Sequence, residues 1–322
     1  MKNKIKQVFP LIGNTPLVPL NFPGVKLYAK LEMFNLTGST KDRPALMILE
    51  EGIKSGKINE DTVVVESSSG NFARSLAVLC RMLGIKFIAV IDRSTNPHHE
   101  ALLRALCHKV YKVMERDETG GCLLNRIKKV KELIVEHPNS FWPNQYENSL
   151  NARAHYMGTG LEICDGLDRL DYFFAGVSSG GSITGNSMRI KERFPKCKII
   201  AVDAVGSVIF SNFPRTRYLP GIGSSLRPKI LESAIIDEVV HVDETESVNA
   251  CREMLNKYGL FLGGSSGSVF AAIKKYFKTH ESEPEQVASF LCADRGGMYI
   301  DNVYNDDWLN TLPLAQAETK LN

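Results

Sequence analysis

The chain has 322 residues, 43% hydrophobic and 23% charged, with a formal net charge of +3, the composition of a globular protein long enough to divide its core between two lobes. So small and evenly spread a charge excludes a nucleic-acid footprint. No apolar run approaches the length of a membrane-spanning helix, so a membrane is not an expected partner either.

From the N-terminus onward, short apolar runs alternate with helical periodicity. Lys26–Glu32 reads as a strand and Pro44–Gly56 as a helix ending near its glycine. Thr62–Glu66 is a buried strand of Val-Val-Val type, followed by a helix over Asn71–Leu83 that Gly84 stops. A strand over Lys86–Ile91, a helix over Pro97–Leu106, a strand over Val110–Val113 and a helix over Gly121–Glu136 come next. The basic run Arg126–Lys131 on that last helix presents its lysines to solvent. The second half repeats the alternation: helix Asn151–Cys164, strand Asp171–Ala175, helix Gly181–Arg193, strand Lys198–Val202, strand Val239–Val242, helices Glu246–Lys257 and Ser266–Lys278, and strand Val287–Leu291. Strands alternating with helices predict an α/β fold with mostly parallel sheets and helices on both faces.

The N-terminal Met-Lys-Asn-Lys-Ile-Lys has no apolar core behind it, and Phe9–Gly13 is too short and broken for a signal peptide; the expected location is the cytoplasm. Seven scattered cysteines, odd in number and without Cys-x-x-Cys spacing, agree with a reducing compartment. Cys80, Cys164 and Cys251 fall in apolar helical patterns, as core thiols do. The seven histidines form no ligand cluster, and His98-His99 reads as an isolated pair in a polar turn, so no metal is expected.

Four segments are rich in Gly and Ser: Ser67–Asn71, Ser178–Ser182, Gly221–Ser225 and Gly263–Ser268. All four read as strand-to-helix junctions. Such turns present free backbone N–H groups at the positive end of a helix, where phosphates and carboxylates settle. A ligand with two or more anionic groups is therefore expected. Lys41 by residue type alone is a surface lysine in a Gly-Ser loop. Its place just before a helix alters that reading, because a helix N-terminus disfavours positive charge and lowers an amine pKa. Asn71, at the start of its helix, suits an N-cap.

The stretch Lys30–Arg43, with Thr37-Gly38-Ser39-Thr40-Lys41-Asp42-Arg43 at its end, closely resembles the lysine segment of fold-type II pyridoxal-phosphate enzymes, the cysteine synthase and cystathionine β-synthase relatives. Gly13–Leu17 looks like that family's opening motif, and Ser69-Gly70-Asn71 like its substrate-carboxylate loop. Ser178–Ser182 with Thr184-Gly185 is similar to its phosphate cup, and Gly264–Gly267 to the segment facing the pyridine nitrogen. Five motifs in the family's order span nearly the whole chain.

The resemblance implies two three-layer lobes of the tryptophan synthase β type. Residues 42–148 form a smaller, mobile, substrate-binding lobe; residues 1–41 and 149–322 form the larger lobe that binds the cofactor. It implies a homodimer acting on amino-acid substrates. Lys41 would carry pyridoxal 5'-phosphate as a Schiff base and then remove the substrate's α-proton. Asn71 would bond the ring hydroxyl. Ser178, Ser179, Gly180, Gly181 and Ser182 would hold the phosphate, and Ser265, with Ser266 as the alternative, would face the ring nitrogen. A hydroxyl there does not hold that nitrogen protonated, which favours β-elimination over transamination. Ser68, Ser69, Gly70 and Gln145 would bind the substrate carboxylate, with Arg126 and Tyr146 as further substrate contacts.

Gly120–Arg126, Trp142–Tyr146, Val202–Phe210 and Asp294-Arg295-Gly296 look closest to the branch that joins O-phospho-L-serine to L-glutamate through an aminoacrylate, making N-(2-amino-2-carboxyethyl)-L-glutamate for the siderophore staphyloferrin B. Phe72-Ala73, Cys292-Ala293 and Gly297-Met298 depart from the family pattern, and an aromatic at Phe72 is expected to narrow the substrate pocket. A cysteine synthase using sulfide, or a cystathionine β-synthase-like enzyme, is the alternative. A non-catalytic scaffold is disfavoured because Lys41, Asn71 and both Gly-Ser loops occur together. A dehydrogenase is disfavoured because no Gly-x-Gly-x-x-Gly follows the first strand.

Overall fold

A computed structural model describes residues 1–117, 121–280 and 285–312. Its elements in chain order are α1 (Lys2–Lys6), β1 (Leu17–Leu20), β2 (Lys26–Leu31), α2 (Asp42–Lys54), β3 (Val63–Ser67), α3 (Asn71–Leu83), β4 (Lys86–Asp92), α4 (Pro97–Leu106), β5 (Lys109–Val113), α5 (Leu123–Glu136), β6 (Ser140–Phe141), α6 (Ser149–His155) and α7 (Leu161–Gly166). There follow β7 (Tyr172–Gly176), α8 (Gly181–Arg193), β8 (Lys198–Ala204), β9 (Glu238–Val242), α9 (Glu244–Tyr258), α10 (Gly264–Thr279), β10 (Val287–Cys292) and α11 (Asp306–Asn310).

The strands form two sheets, a six-stranded one in the order β1-β2-β10-β7-β8-β9 and a four-stranded one in the order β5-β4-β3-β6. All pairings are parallel except β1 with β2. Alternation along β8 shows why each sheet is covered on both faces. Ile200, Val202 and Ala204 join the core beneath α10, whereas Ile199 and Ala201 join the core beneath α8. In the smaller sheet, Phe87, Ala89 and Ile91 of β4 pack with α2 and α3, and Ile88 and Val90 face α5. With successive side chains on opposite faces, both faces must be apolar and both need a helical layer.

Every predicted element is present, within a residue or two of its expected bounds. Helices α3, α4 and α8 coincide with the prediction. Gly84 ends α3 in the left-handed region (φ 77°), and Asn96 caps α4 by accepting from His98 N at 2.8 Å. The His98-His99 pair therefore lies on a helix, not in a turn. Strands β1 and β6 were not anticipated: β1 contains Pro19, and β6 is only two residues long.

The helix expected over Asn151–Cys164 is interrupted by a π-helical turn at Tyr156–Gly160. Glycines allow close packing at and beside this turn. A Cβ on Gly185 of α8 would run into the Ala152 carbonyl, and one on Gly158 would meet Arg43 Nη1 at 2.8 Å. Two of the four Gly-Ser segments are not strand-to-helix junctions. Gly221–Ser225 lies in the long connection from β8 to β9, and Gly263–Ser268 follows α9 and opens α10. Irregular chain separates the first from β8, and α9 separates the second from β9.

Candidate active site

Ligands of parallel sheets bind beyond the carboxyl ends of the strands, and here three such ends converge on one cleft. From β7 and the start of α8 come Gly176, Ser178, Ser179, Gly180 and Ser182. Thr40, Lys41 and Asn71 form a second wall. Gly221, Ser265, Val269, Leu291 and Ala293 complete the lining.

Lys41 is held here by its neighbours. Thr40 N–H donates to the Ala293 carbonyl at 2.8 Å, and Thr40 Oγ1 to Glu32 Oε2 at 3.1 Å. Lys41 itself is the N-cap residue of α2. Its amine makes no hydrogen bond among the described residues. Burial lowers its pKa to about 8, against the opposing pull of Asp294. Burial is thus the main reason the amine loses its proton so readily. Asp294, just past β10, accepts from Asn71 Nδ2 and from Tyr299 OH, each at 2.7 Å. Burial raises its pKa, and those two bonds act against the rise.

Asn71 is not the N-cap of α3. Gly70 occupies that position, and Ser68 Oγ supplies a cap by accepting from Ala73 N at 3.2 Å. This frees the Asn71 side chain to reach Asp294, and leaves its Oδ1 buried without a partner. Ser179 Oγ at the start of α8 is likewise buried and unpaired. Gly180 adopts φ 86° as the cap of α8, and a Cβ there would lie 2.8 Å from Ile230 and Leu231. A Cβ on Gly181 would strike the Asn151 side chain. These glycines let the helix N-terminus face the cleft while the chain packs behind it. Ser178 Oγ donates to the Gly223 carbonyl at 3.1 Å, which fastens the Gly221–Ser225 loop to β7. Ser266 Oγ is occupied by Ala293 N at 3.0 Å, whereas Ser265 lines the cleft.

The donor set fits pyridoxal phosphate. It provides a deprotonatable amine without a bond, an unpaired amide oxygen beside it, an unpaired hydroxyl at a helix N-terminus for a phosphate, and a serine on the remaining wall. Among the described residues no cluster of three His, Cys, Asp or Glu is placed to hold a metal, and no helix is long and apolar enough to cross a membrane.

Of the remaining predicted site residues, Arg126 contacts Ser69. Arg126 is 9% exposed, not a solvated helix arginine. Its Nη1 donates to Ser69 Oγ at 3.3 Å and its Nε stands 3.2 Å from Asp92. Burial raises the Tyr146 pKa, and the nearby Arg126 charge acts against the rise. Gln145 is buried, its carbonyl accepting from Asn151 Nδ2 at 2.7 Å. Gly120, the first residue of the Arg126 motif, lies outside the described residues. Phe72 does not narrow the pocket. It is 1% exposed and packs in the core with Ile48, Leu76 and Ala77, because one position along α3 turns its side chain by about 100° from that of Asn71 and so away from the cleft.

Sequence reasoning missed Asp294 as a neighbour of Lys41; its position at the carboxyl end of a parallel strand was the available signal. It also missed what the opening motif does. Gly13–Leu17 does not line the cleft. Thr15, Lys30, Glu32, Arg43 and Glu162 form a buried network beneath Lys41, with Arg43 Nε to Glu32 and Arg43 Nη1 to Glu162 each 2.6 Å and Lys30 Nζ to Glu162 2.6 Å.

Residues 8–293 match the profile of the family described as "Pyridoxal-phosphate dependent enzyme". Among solved structures, the O-acetylserine dependent cystathionine beta-synthase from Helicobacter pylori is similar, with a TM-score of 0.84 and 31% identity over 92% of this chain and 97% of that one. A hydrogen sulfide-producing enzyme from Fusobacterium nucleatum has a TM-score of 0.84 and 31% identity, covering 91% of this chain and 98% of its own. An O-ureido-L-serine synthase has a TM-score of 0.84 and 25% identity, covering 94% and 98%.

Proposed function

Given that the chain belongs to the pyridoxal-phosphate dependent enzyme family, we propose that it joins O-phospho-L-serine to L-glutamate, giving N-(2-amino-2-carboxyethyl)-L-glutamate, a siderophore precursor, and phosphate. Its cofactor is pyridoxal phosphate, and its structural neighbours are enzymes of the β-replacement group. In this reaction the Cβ–O bond of the donor breaks and a Cβ–N bond to the acceptor forms. The bound cofactor supplies the electron sink that allows a proton to leave Cα. Lys41 would take that proton, its lowered pKa suiting a base near neutral pH. Ser68, Ser69 and Gly70 would offer hydroxyl and N–H donors to the substrate carboxylate, as would Gln145. Ser178–Ser182 would grip the cofactor phosphate, with Asn71 and Ser265 against its ring.

The observation that carries the substrate assignment is Arg126. It is a buried guanidinium, paired with Asp92, whose Nη1 donates to Ser69 Oγ of the carboxylate loop. A doubly charged donor and a dicarboxylate acceptor need such a fixed cation. A second reading is favoured by the Helicobacter pylori neighbour, which is O-acetylserine dependent: an O-acetylserine donor with a thiol or sulfide acceptor. A matrix of donors (O-phosphoserine, O-acetylserine) against acceptors (glutamate, homocysteine, sulfide) separates them. Phosphate release that requires glutamate supports the first reading. Faster turnover of O-acetylserine with sulfide or homocysteine replaces it with the second. We further place the enzyme in the cytoplasm as a homodimer in which residues 42–148 move against the rest; sedimentation velocity tests the dimer.

A further inference from the structure

Beside the cofactor cleft, and sharing none of its lining, is a second cavity bounded by the Asn35–Gly38 loop, Arg74, Arg295, Gly297 and Met298. Arg74 stands on α3 one turn after Asn71 and is only 8% exposed. Its guanidinium makes no hydrogen bond or ion pair among the described residues, and its Nε is buried without a partner. Only Nε is shut away from solvent, but the guanidinium as a whole has no protein acceptor among the described residues, and a buried polar group without one is costly.

The nearest carboxylates feel its charge but are bonded elsewhere. Asp42 accepts from Thr37 N, Thr37 Oγ1 and Ser75 Oγ, each at 2.6 Å. Asp294 accepts from Asn71 and Tyr299. Two further titratable neighbours offer no negative charge: His99 is buried with an unpaired Nδ1, and Tyr299 donates its hydroxyl to Asp294. Across the cavity, exposed Arg295 lies 5.8 Å over the Phe34 ring and donates to the Met33 carbonyl at 3.3 Å. Gly38 lies between the two arginines: a Cβ there would be 3.9 Å from both Arg74 Nη2 and Arg295 Cβ.

We propose that this cavity is an anion site that takes a small carboxylate between the guanidinium groups of Arg74 and Arg295. A planar carboxylate matches the guanidinium fork. Asp42 and Asp294 already offset part of the positive charge, which favours a singly charged occupant over a phosphate dianion. The occupant touches the loop that runs into Lys41, the helix that begins with Asn71, and the segment whose Met298 carbonyl accepts from Asn96 at 3.2 Å. It therefore ties both sheets' units together next to the cleft, which makes it a candidate effector site.

The test uses the full cofactor-loaded chain in a chloride- and carboxylate-free Hepes buffer. Sodium acetate, chloride and phosphate are titrated separately, with ionic strength balanced by sodium methanesulfonate. Acetate is expected to raise the unfolding temperature saturably, by about 5 °C when ~100-fold above its Kd, and more than phosphate does. The rise disappears in Arg74→Met, weakens in Arg295→Met and persists in Ser69→Ala, which alters the separate substrate loop. Without added anion, Arg74→Met unfolds no lower than the parent, because it removes a mostly buried cation to which no protein group among the described residues is hydrogen-bonded. The proposal is overturned by no saturable rise, by an equal rise in Arg74→Met, or by a larger response to phosphate. A lower anion-free unfolding temperature of Arg74→Met also overturns it, since Arg74 would then have a protein partner. So does a changed sedimenting mass of that variant, which would make a second copy the partner.

Discussion

Glu162 joins three parts of the chain that the sequence keeps far apart. It accepts from the backbone of Asn14 and Thr15, from Lys30 Nζ at 2.6 Å and from Arg43 Nη1 at 2.6 Å. Burial opposes its ionisation, but Arg43 and then Lys30 outweigh that and hold its pKa at about 2 instead of 4.5. At roughly 1.4 kcal/mol per pH unit, the difference amounts to about 3 kcal/mol of stability. The side chain is 18% exposed, so solvent screening removes only a modest part. A depressed carboxylate stabilises the fold above its unfolded pKa and loses that contribution as pH falls toward the folded value. Glu162→Gln should therefore lower the unfolding temperature by about 4–5 °C at pH 7, at fixed scan rate. The gap between parent and variant should shrink to about half its free-energy value by about pH 3. Because Arg43 lies two residues beyond Lys41, kcat should fall as well, with little change in KM. Thermal unfolding monitored by circular dichroism at pH 7, 5 and 3 measures the gap. A fall under about 2 °C at pH 7, or a gap that does not narrow in acid, would refute the view that this charge network holds the Lys41 segment.

Three further outcomes are expected. Cofactor attachment to the apoprotein should accelerate as pH rises through about 8, where the Lys41 amine becomes neutral; a profile still rising steeply only near 10.5 would contradict the burial argument. Arg126→Met should raise KM for O-phosphoserine or glutamate by on the order of 10-fold or more while leaving O-acetylserine less affected, and equal effects on both donors in steady-state assays would remove Arg126 from substrate binding. Phe72→Ala should cost about 3–5 kcal/mol in urea unfolding without altering donor preference, and a switch in preference would return Phe72 to the pocket wall.

The chain's local physics determined most of the elements. Val63–Val65, the apolar period of α3 and the Gly84 stop are short-range signals, and they fix strand, helix and boundary with little help from the rest of the molecule. That Lys41, Asn71 and Ser178–Ser182 belong together was suggested by the family resemblance, since Gly-Ser turns by themselves are more often ordinary turns, and the fold does bring them to one cleft. Three things depended on the folded chain. Asn71 turns away from capping toward Asp294, a partner 223 residues distant in sequence. Phe72 enters the core because its side of α3 faces α2. The opening motif becomes a buried charge network instead of a pocket wall. Each depends on which side chains meet across large sequence separations, and no local pattern encodes that meeting. The sequence named the candidate groups; only the tertiary structure decided which of them share a buried site, where burial rather than neighbouring residue type lowers the pKa of the Lys41 amine.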